Sequence, residues 1–193
     1  MRSVAAVVLA AGASTRLSSP KQLVRLGGER LLERAVRVAG EAGCSPVVVV
    51  LGASASLIQS SCALGDARVV VNEDWASGMG SSIGVGISCL REVDGCVVMT
   101  CDMPAVTAAH LVEVMASGEV TASAYSGRRG VPAYFPTAAF AVLMALRGDA
   151  GARGLLGAAR CVELAGGELD LDTVEDLARE QELFGAGVSL DED

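Results

Sequence analysis

A run of small residues near the start of the chain carries its strongest chemical signal. Residues 9–23 read LAAGASTRLSSPKQL and follow an apolar run of strand length. With few side chains in the way, the backbone N–H groups of residues 11–14 can converge on an anion, and Arg16 and Lys21 add two positive charges. The segment matches neither the GxxxxGK[S/T] loop nor the GxGxxG fingerprint. We predict a triphosphate-binding loop, the alternative being a glycine turn with two surface cations.

A second candidate is the CDMP segment at residues 101–104. It directly follows the apolar run 96–100, so Asp102 is expected at the carboxyl end of a central strand, where Pro104 ends the strand. A carboxylate in that position suits Mg²⁺, which takes a few oxygen ligands together with substrate phosphates. The alternative is that Asp102 caps the following helix, although Thr107 is better placed as the cap.

A third candidate is the glycine-rich segment NEDWASGMGSSI at residues 72–83. It follows a short strand and opens a helix, so Gly78, Gly80 and the N–H groups of Ser81 and Ser82 are expected at a helix N-terminus. That arrangement can bind an anion or the edge of a nucleobase. A glycine loop alone is weak evidence for a binding site. This one gains support because it is expected at the same edge of the sheet as the first two segments.

An acidic segment, DLDTVEDL at residues 170–177, offers further carboxylates. Asp170 and Asp172 alternate along an extended stretch, so either could supply a second ligand to a metal. Aspartates before a helix more often cap it and favour its positive end, and that alternative stays open.

The charge balance excludes nucleic acid and anionic membranes as the main partner. The chain has 15 basic and 23 acidic residues, a formal charge of −8. Residues 1–162 hold 14 basic and 12 acidic residues, whereas residues 163–193 hold one basic and 11 acidic residues. The acidity therefore belongs to the C-terminal part and does not argue against a polyphosphate ligand. Lys21 is the only lysine, and the only histidine, His110, is expected on the surface.

With 193 residues the chain is expected to form one domain with a substantial core. Its cysteines show no CxxC spacing and lie in apolar segments, which is typical of reduced, buried thiols in a cytoplasmic protein. No apolar run reaches the ~18 residues of a membrane span. The first run resembles a short signal peptide, but a buried strand is the better interpretation. The cysteines are Cys44, Cys62, Cys89, Cys96, Cys101 and Cys161.

Apolar runs that alternate with helical patterns predict a three-layer α/β fold with a mostly parallel sheet. We expect strands at residues 4–9, 47–51, 68–71, 96–100, 120–125 and 131–135. We expect helices at residues 29–42, 54–64, 81–91, 107–117, 137–146, 151–159 and 174–184. Arg128 and Arg129 fall in a predicted turn at residues 126–130, either exposed or holding the phosphate of an acceptor.

Five segments in this order and spacing resemble a known family. LAAGASTRLSSPK, NEDWASGMGSS, CDMP, GDAGARGLL at residues 148–156 and DLDTVEDL are similar to the molybdenum cofactor nucleotidyltransferases, in particular the molybdopterin cytidylyltransferase branch. The resemblance covers residues 4–183. It implies a Rossmann-like fold, and we assign one nucleotidyltransferase domain to residues 1–184. The composition of residues 185–193 predicts a flexible acidic tail.

The resemblance also implies catalytic roles. Arg16 and Lys21 would contact the triphosphate of CTP and stabilise the charge that develops during transfer. Asp102 would hold Mg²⁺. Asp172 would be the second metal ligand, with Asp170 as the less favoured choice.

By the same resemblance, Ser82 and Gly80 would recognise the edge of the cytosine. Guanylyl-transferring relatives usually have LAGG at residues 9–12, so Ala11 favours CTP. The implied nucleotide-binding residues are Leu9, Ala10, Ala11, Gly12, Ala13, Ser14, Arg16, Lys21, Asn72, Gly80, Ser81 and Ser82. The chain departs from the family pattern at Ser18, Val131 and Val174.

The implied reaction is the transfer of CMP from CTP to the phosphate of molybdopterin, with release of pyrophosphate. Such an in-line displacement needs positioning and charge neutralisation rather than a nucleophilic side chain. A molybdenum hydroxylase would receive the product. The alternatives are another phosphorylated acceptor (a GTP-type cofactor, methylerythritol phosphate or a sugar phosphate) and a non-catalytic cofactor-delivery factor. A dinucleotide-binding oxidoreductase is disfavoured because the fingerprint is missing.

Overall fold

Seven strands form one sheet in the part of the chain that the structure, a computed structural model, describes: residues 2–14, 19–149 and 151–168. A separate two-stranded sheet brings the strands of the described residues to nine. In chain order they are β1 (Val4–Ala10), β2 (Arg25–Leu26), β3 (Glu29–Arg30), β4 (Val47–Leu51), β5 (Arg68–Val71), β6 (Gly95–Thr100), β7 (Thr121–Tyr125), β8 (Arg128–Pro136) and β9 (Arg160–Glu163). The sheet order is β5-β4-β1-β6-β8-β7-β9, and β2 pairs separately with β3. Within the sheet β8 runs against both of its neighbours, and the other pairs are parallel. A mostly parallel sheet was predicted and is confirmed.

Helices cover both faces of this sheet, which confirms the three-layer, Rossmann-like α/β fold. They are α1 (Leu31–Glu41), α2 (Ala55–Ser61), α3 (Met79–Ser88), α4 (Ala108–Ala116), α5 (Phe140–Met144) and α6 (Arg153–Leu156). Every residue of β1 is buried. Its even-numbered residues share a core with α1, α2 and α4, and its odd-numbered residues share a core with α3, α5 and α6. A strand covered on both faces must be apolar throughout, which explains the continuous run.

Some predictions lie outside the described residues. These are the site residues Arg16, Asp170 and Asp172, the helix at 174–184 and the acidic tail at 185–193.

Helix α3 begins two residues earlier than predicted and contains glycines that weaken an isolated helix. The structure shows why one of them is needed. A Cβ on Gly86 would lie 2.4 Å from Cγ1 of Val7. Glycine therefore lets α3 pack directly on β1, and this close contact determines where the start of α3 lies relative to the strand ends.

Two short hairpins correct the predicted boundaries. Helix α1 was expected from residue 29 but begins at Leu31, because Gly27 and Gly28 have positive φ angles of 60° and 86° and turn the chain between β2 and β3. The turn predicted at 126–130 is likewise only two residues long. Ser126 and Gly127 form it, with φ angles of 47° and 70°, and Arg128 already pairs with Tyr125.

Strand β9 is absent from the sequence-based prediction. Three of its four residues are exposed, so no apolar run marks it. It pairs in parallel with β7 at the edge of the sheet, from Thr121 with Arg160 to Ala124 with Glu163. Arg129 is close by and exposed, and it donates to the carbonyl of Gly157 at 2.8 Å. Long-range pairing rather than local hydrophobicity therefore determines this strand.

The expectation of a surface position for His110 is wrong. Its backbone N–H donates to Oγ1 of Thr107 at 3.2 Å, which confirms the predicted helix cap, but its ring is buried between α4 and β7. The hydroxyl of Ser123 donates to the carbonyl of Pro132 at 2.7 Å, and its oxygen lies 2.7 Å from Nε2 of His110. Since the carbonyl can only accept, Nε2 carries the hydrogen and donates to Ser123.

Burial of His110 predicts a pH-dependent stability. Burial lowers the pKa of the imidazole and the charge of Glu113 opposes this. Below the ordinary pKa of about 6.5 the unfolded chain binds more protons than the fold, so this contribution is complete above about pH 6.5 and is lost as the pH falls. His110→Gln keeps an N–H donor but does not titrate. We expect its melting temperature to fall less than that of the wild type from about pH 6.5 to 5; equal slopes would contradict this.

Of the six cysteines predicted to be buried, three are buried, Cys62 and Cys89 are partly buried, and one is exposed. Cys44, Cys96 and Cys101 are buried free thiols, and burial raises the pKa of Cys44 to about 11. Cys161 is exposed on the edge strand β9. Among the described residues, no helix has the length and apolar character needed to span a bilayer.

Candidate active site

A cleft of about 380 Å³ opens at the carboxyl ends of β1 and β6. This is the edge at which ligands bind in open parallel sheets. It brings together residues predicted from three separate segments, namely Leu9, Ala10, Ala11, Gly12, Lys21, Ser82 and Asp102. Gln22, Trp75, Met79 and Asp149 also line it and were not predicted as site residues.

The centre of the cleft is an ion pair between Lys21 and Asp102. The ammonium of Lys21 contacts Oδ2 of Asp102, although the two residues are 81 positions apart in the chain. Their side chains are 19% and 10% exposed, so the pair is largely sheltered from water. Lys21 begins a single 3₁₀ turn, Lys21–Leu23, and Asp102 is the second residue after the end of β6. The only lysine of the protein therefore contacts the carboxylate predicted to hold a metal.

The environment of Asp102 fits a divalent cation. Its second oxygen, Oδ1, is buried and has no hydrogen-bond partner within the part of the chain that the structure describes. A buried acceptor without a donor is costly, and a cation that approaches from the cleft would satisfy it. Mg²⁺ commonly uses one or two carboxylates and completes its shell with water and phosphate oxygens. Among the described residues, no group of three or more side chains that could ligate a metal is present.

Gln22 holds the small-residue loop in place. It is fully buried, and its Nε2 donates to the carbonyls of Ala10 at 2.8 Å and Gly12 at 3.2 Å. The carbonyl of Ala11 accepts from the amide of Ala53 at 3.0 Å. These donors neutralise three consecutive carbonyl oxygens that would otherwise repel a phosphate. The sequence signal for Gln22 was its place beside Lys21 in the PKQL segment.

Asn72 hydrogen-bonds to the glycine-rich loop and does not line the cleft. Its Nδ2 donates to the hydroxyls of Ser81 at 2.8 Å and Ser82 at 3.0 Å. The amide of Gly80 donates to the carbonyl of Gly148 at 3.0 Å, and that of Ser81 donates to the carbonyl of Gly78 at 3.2 Å. The amide of Ser81, which was predicted to face a ligand, and the amide of Gly80 are thus used within the protein. Gly78 and Ser82 line the cleft, whereas Asn72, Gly80 and Ser81 do not.

Of the other predicted site residues, some support the small-residue loop and others lie outside the described residues. Ala13 and Ser14 do not line the cleft, but the hydroxyl of Ser14 accepts from the amide of Lys21 at 2.9 Å. For Arg16, Asp170 and Asp172 the predicted roles stay predictions, because these residues lie outside the described part of the chain.

The loop that carries Asp102 is held from α1. The guanidinium of Arg34 donates to the carbonyls of Pro104 at 2.7 Å and Val106 at 3.3 Å. Arg34 is partly buried, and this burial lowers the pKa of its guanidinium. A partly buried guanidinium bonded to two loop carbonyls positions the segment directly after the carboxylate that is predicted to bind a metal.

Comparison with known proteins agrees with this geometry. Residues 6–164 match the model of the MobA-like NTP transferase domain. Nicotine blue oxidoreductase of Paenarthrobacter nicotinovorans is 35% identical over 195 residues, which cover 91% of this chain and 95% of that protein. The crystal structure of Rv0371c from Mycobacterium tuberculosis H37Rv is 31% identical, with a TM-score of 0.85 and coverage of 94% of this chain and 99% of that one.

A complex of Rv0371c with manganese is 32% identical, with a TM-score of 0.80 and coverage of 93% of this chain and 98% of that one. The family match spans most of the chain and includes both the small-residue loop and Asp102. The order of the motifs, the fold and the cleft agree with it. The chain therefore belongs to the MobA-like NTP transferase family, in agreement with its resemblance to the molybdenum cofactor nucleotidyltransferases.

Proposed function

We propose that this member of the nucleotidyltransferase family transfers CMP from CTP to the phosphate of molybdopterin and releases pyrophosphate. The observation that carries the proposal is the Lys21–Asp102 pair, placed beside a loop of small residues at the carboxyl edge of the sheet. An ammonium and an incompletely satisfied carboxylate next to exposed backbone are suited to a metal-bound triphosphate. A cytoplasmic location, predicted from the cysteines, is part of the proposal.

The reaction is an in-line displacement. An oxygen of the acceptor phosphate forms a bond to the α-phosphorus of CTP, the bond to the bridging oxygen breaks, and pyrophosphate leaves with the electron pair. A divalent cation on Asp102, Mg²⁺ in our proposal, supplies positive charge to the phosphate oxygens. Lys21 binds the charge of the triphosphate, and Arg16 stabilises the charge that develops in the transition state. Asp172, or less favourably Asp170, is the second carboxylate ligand.

Recognition of the nucleotide combines the loop and the start of α3. Residues 9–12 contact the triphosphate while Ala13 and Ser14 support the loop, and Ser82 hydrogen-bonds the cytosine edge with Gly80 beside it. Ala11 favours CTP over GTP. The acceptor is a phosphorylated pterin, and a molybdenum hydroxylase receives the product.

A redox activity is the second candidate, because a relative covered over nearly its full length is named an oxidoreductase. The chain lacks the GxGxxG fingerprint, and the pairing of Lys21 with Asp102 is better explained by phosphate and metal binding. Transfer to another phosphorylated acceptor and delivery of a finished cofactor are further alternatives.

One experiment separates these functions. The protein is incubated with each nucleoside triphosphate, Mg²⁺ and either molybdopterin or a sugar phosphate, and pyrophosphate is measured. A parallel assay follows oxidation of reduced nicotinamide dinucleotides. We expect pyrophosphate with CTP and molybdopterin and no nicotinamide oxidation. Pyrophosphate only with GTP or a sugar phosphate would overturn the assigned substrates, and nucleotide binding without turnover would favour the delivery factor.

A further inference from the structure

We propose that Trp75 and Asp149 form a ring subsite in the cleft, which binds a planar heteroaromatic ring with an exocyclic amino group. The indole of Trp75 is the stacking surface, and the carboxylate of Asp149 accepts the amino hydrogens. The inference rests on the proposed function in one respect, namely that a nucleotide or a pterin enters the cleft. Cytosine, guanine and pterins share this chemistry, whereas uracil has no amino group.

The first argument is the distribution of aromatic side chains. The chain has one tryptophan, two tyrosines and three phenylalanines. Tyr134 and Phe135 are fully buried in the core. Trp75 is half-buried, and no other aromatic residue of the described chain lines the cleft. An indole offers a large flat face at a low cost in conformational entropy, so this placement indicates contact with a ring.

The position of Trp75 is fixed by its backbone and by a glycine. The residue begins a 3₁₀ turn, Trp75–Ser77, in which the amide of Gly78 donates to the carbonyl of Trp75 at 3.2 Å. A Cβ on Gly52 would lie 2.6 Å from Cβ of Trp75 and 2.8 Å from the carbonyl oxygen of Ala11. The missing side chain at Gly52 therefore lets Trp75 lie directly beside the phosphate loop. A ring stacked there can belong to a molecule whose phosphates contact that loop.

Asp149 is held at the cleft by a second close backbone contact. A Cβ on Gly78 would lie 2.4 Å from the carbonyl carbon of Gly148 and 2.6 Å from Oδ1 of Asp149. The amide of Gly80 donates to the carbonyl of Gly148 at 3.0 Å. The segment before Asp149 is thus fastened to the start of α3, and the carboxylate lies over a residue that has no side chain. Trp75 and Asp149 therefore flank the cleft from two fixed segments.

The carboxylate of Asp149 selects rings that carry an amino group. Asp149 is exposed, and no salt bridge to it is present within residues 2–14, 19–149 and 151–168. An ionised carboxylate only accepts hydrogen bonds. It therefore attracts the amino group of cytosine, guanine or a pterin and repels the O4 carbonyl that uracil presents at the same position. We infer discrimination against UTP at this residue.

The single tryptophan makes the subsite directly measurable. The full-length protein with Mg²⁺ is titrated with CTP, UTP, inorganic tripolyphosphate and a 2-amino-4-oxopterin, while indole emission is recorded and affinity is measured by calorimetry. We expect CTP to change the emission and tripolyphosphate, which has no ring, to leave it unchanged. We expect UTP to bind at least about tenfold more weakly than CTP, because Asp149 has no donor to meet.

Variants test each residue separately. Trp75→Ala should weaken binding of the ring-bearing ligand by roughly 5- to 150-fold, the range for loss of one stacked base, while Trp75→Phe should largely restore it. Asp149→Asn should reduce the preference for CTP over UTP to about threefold or less. Asp66→Asn removes an exposed carboxylate elsewhere on the surface and should leave that preference unchanged.

The outcomes distinguish the subsite from the proposed function. An emission change with CTP assigns the ring to the nucleotide, and a change with the pterin alone assigns it to the acceptor. The subsite is overturned if neither ligand changes the emission, or if Trp75→Ala binds both as the wild type does. It is also overturned if Asp149→Asn loses Mn²⁺ binding, since Asp149 is then a metal ligand. Failure of CMP transfer with an intact emission response overturns the proposed function alone.

Discussion

Asp102→Asn is expected to lower pyrophosphate release from CTP by about 10²- to 10³-fold while the fold stays intact. The substitution is nearly isosteric but removes the negative charge that would hold the cation. Oδ1 of Asp102 is buried without a partner among the described residues, which costs stability, whereas Oδ2 gains stability from its pair with Lys21. Because the substitution removes both effects, we expect the melting temperature without divalent cations to change by only a few degrees, about the size of a 1 kcal/mol change.

Two measurements check this prediction. Steady-state pyrophosphate release reports the rate, and electron paramagnetic resonance of free Mn²⁺ reports cation binding without any turnover. Asp66→Asn is the matched control, because it removes one exposed carboxylate that does not line the cleft. A rate for Asp102→Asn within a few fold of the wild type would remove Asp102 from the mechanism. An unchanged affinity for Mn²⁺ would remove it from the metal site.

Lys21→Met is expected to have opposite effects on two ligands. In the wild type the ammonium contacts the same carboxylate that would hold the cation, so a cation that binds alone must compete with it. Removing the ammonium should tighten binding of Mn²⁺ alone by about tenfold or more, given the strength of a sheltered pair of unit charges. The triphosphate loses a cationic partner, so binding of CTP should weaken and transfer should slow by about 10²-fold.

Tighter binding of Mn²⁺ together with weaker binding of CTP would show that Lys21 leaves Asp102 for the triphosphate when the cation binds. A merely structural lysine would weaken both ligands or neither. Mn²⁺ binding is measured by resonance with and without CTP, and Arg147→Met serves as the control, since it removes an exposed cation that bonds the carbonyls of its own helix end. If Lys21→Met binds free Mn²⁺ no better than the wild type, then Lys21 does not compete with the cation.

The elements of the sheet were largely predictable because burial on both faces demands continuous apolar runs. Strands β4 and β5 match their predicted bounds, and β1 and β6 differ by one residue. The errors have a common cause. The edge strand β9 and the short ribbon β2–β3 bury little, so they leave no apolar run and depend on pairing partners or on left-handed glycines. His110 was predicted on the surface because the sequence of its own helix does not reveal that β7 packs over its ring.

What the sequence by itself determined is the inventory and its local order: one lysine in a loop of small residues, one aspartate after a buried strand, and one tryptophan before a glycine-rich helix start. Local hydrophobicity and turn chemistry are enough for that. Only the tertiary structure decided that Lys21 contacts Asp102, that Gln22 holds the carbonyls of the loop, and that Trp75 and Asp149 line the same cleft. These contacts join distant segments, and the register of β1 beside β6 and the close packing of glycines place them, which no local pattern encodes.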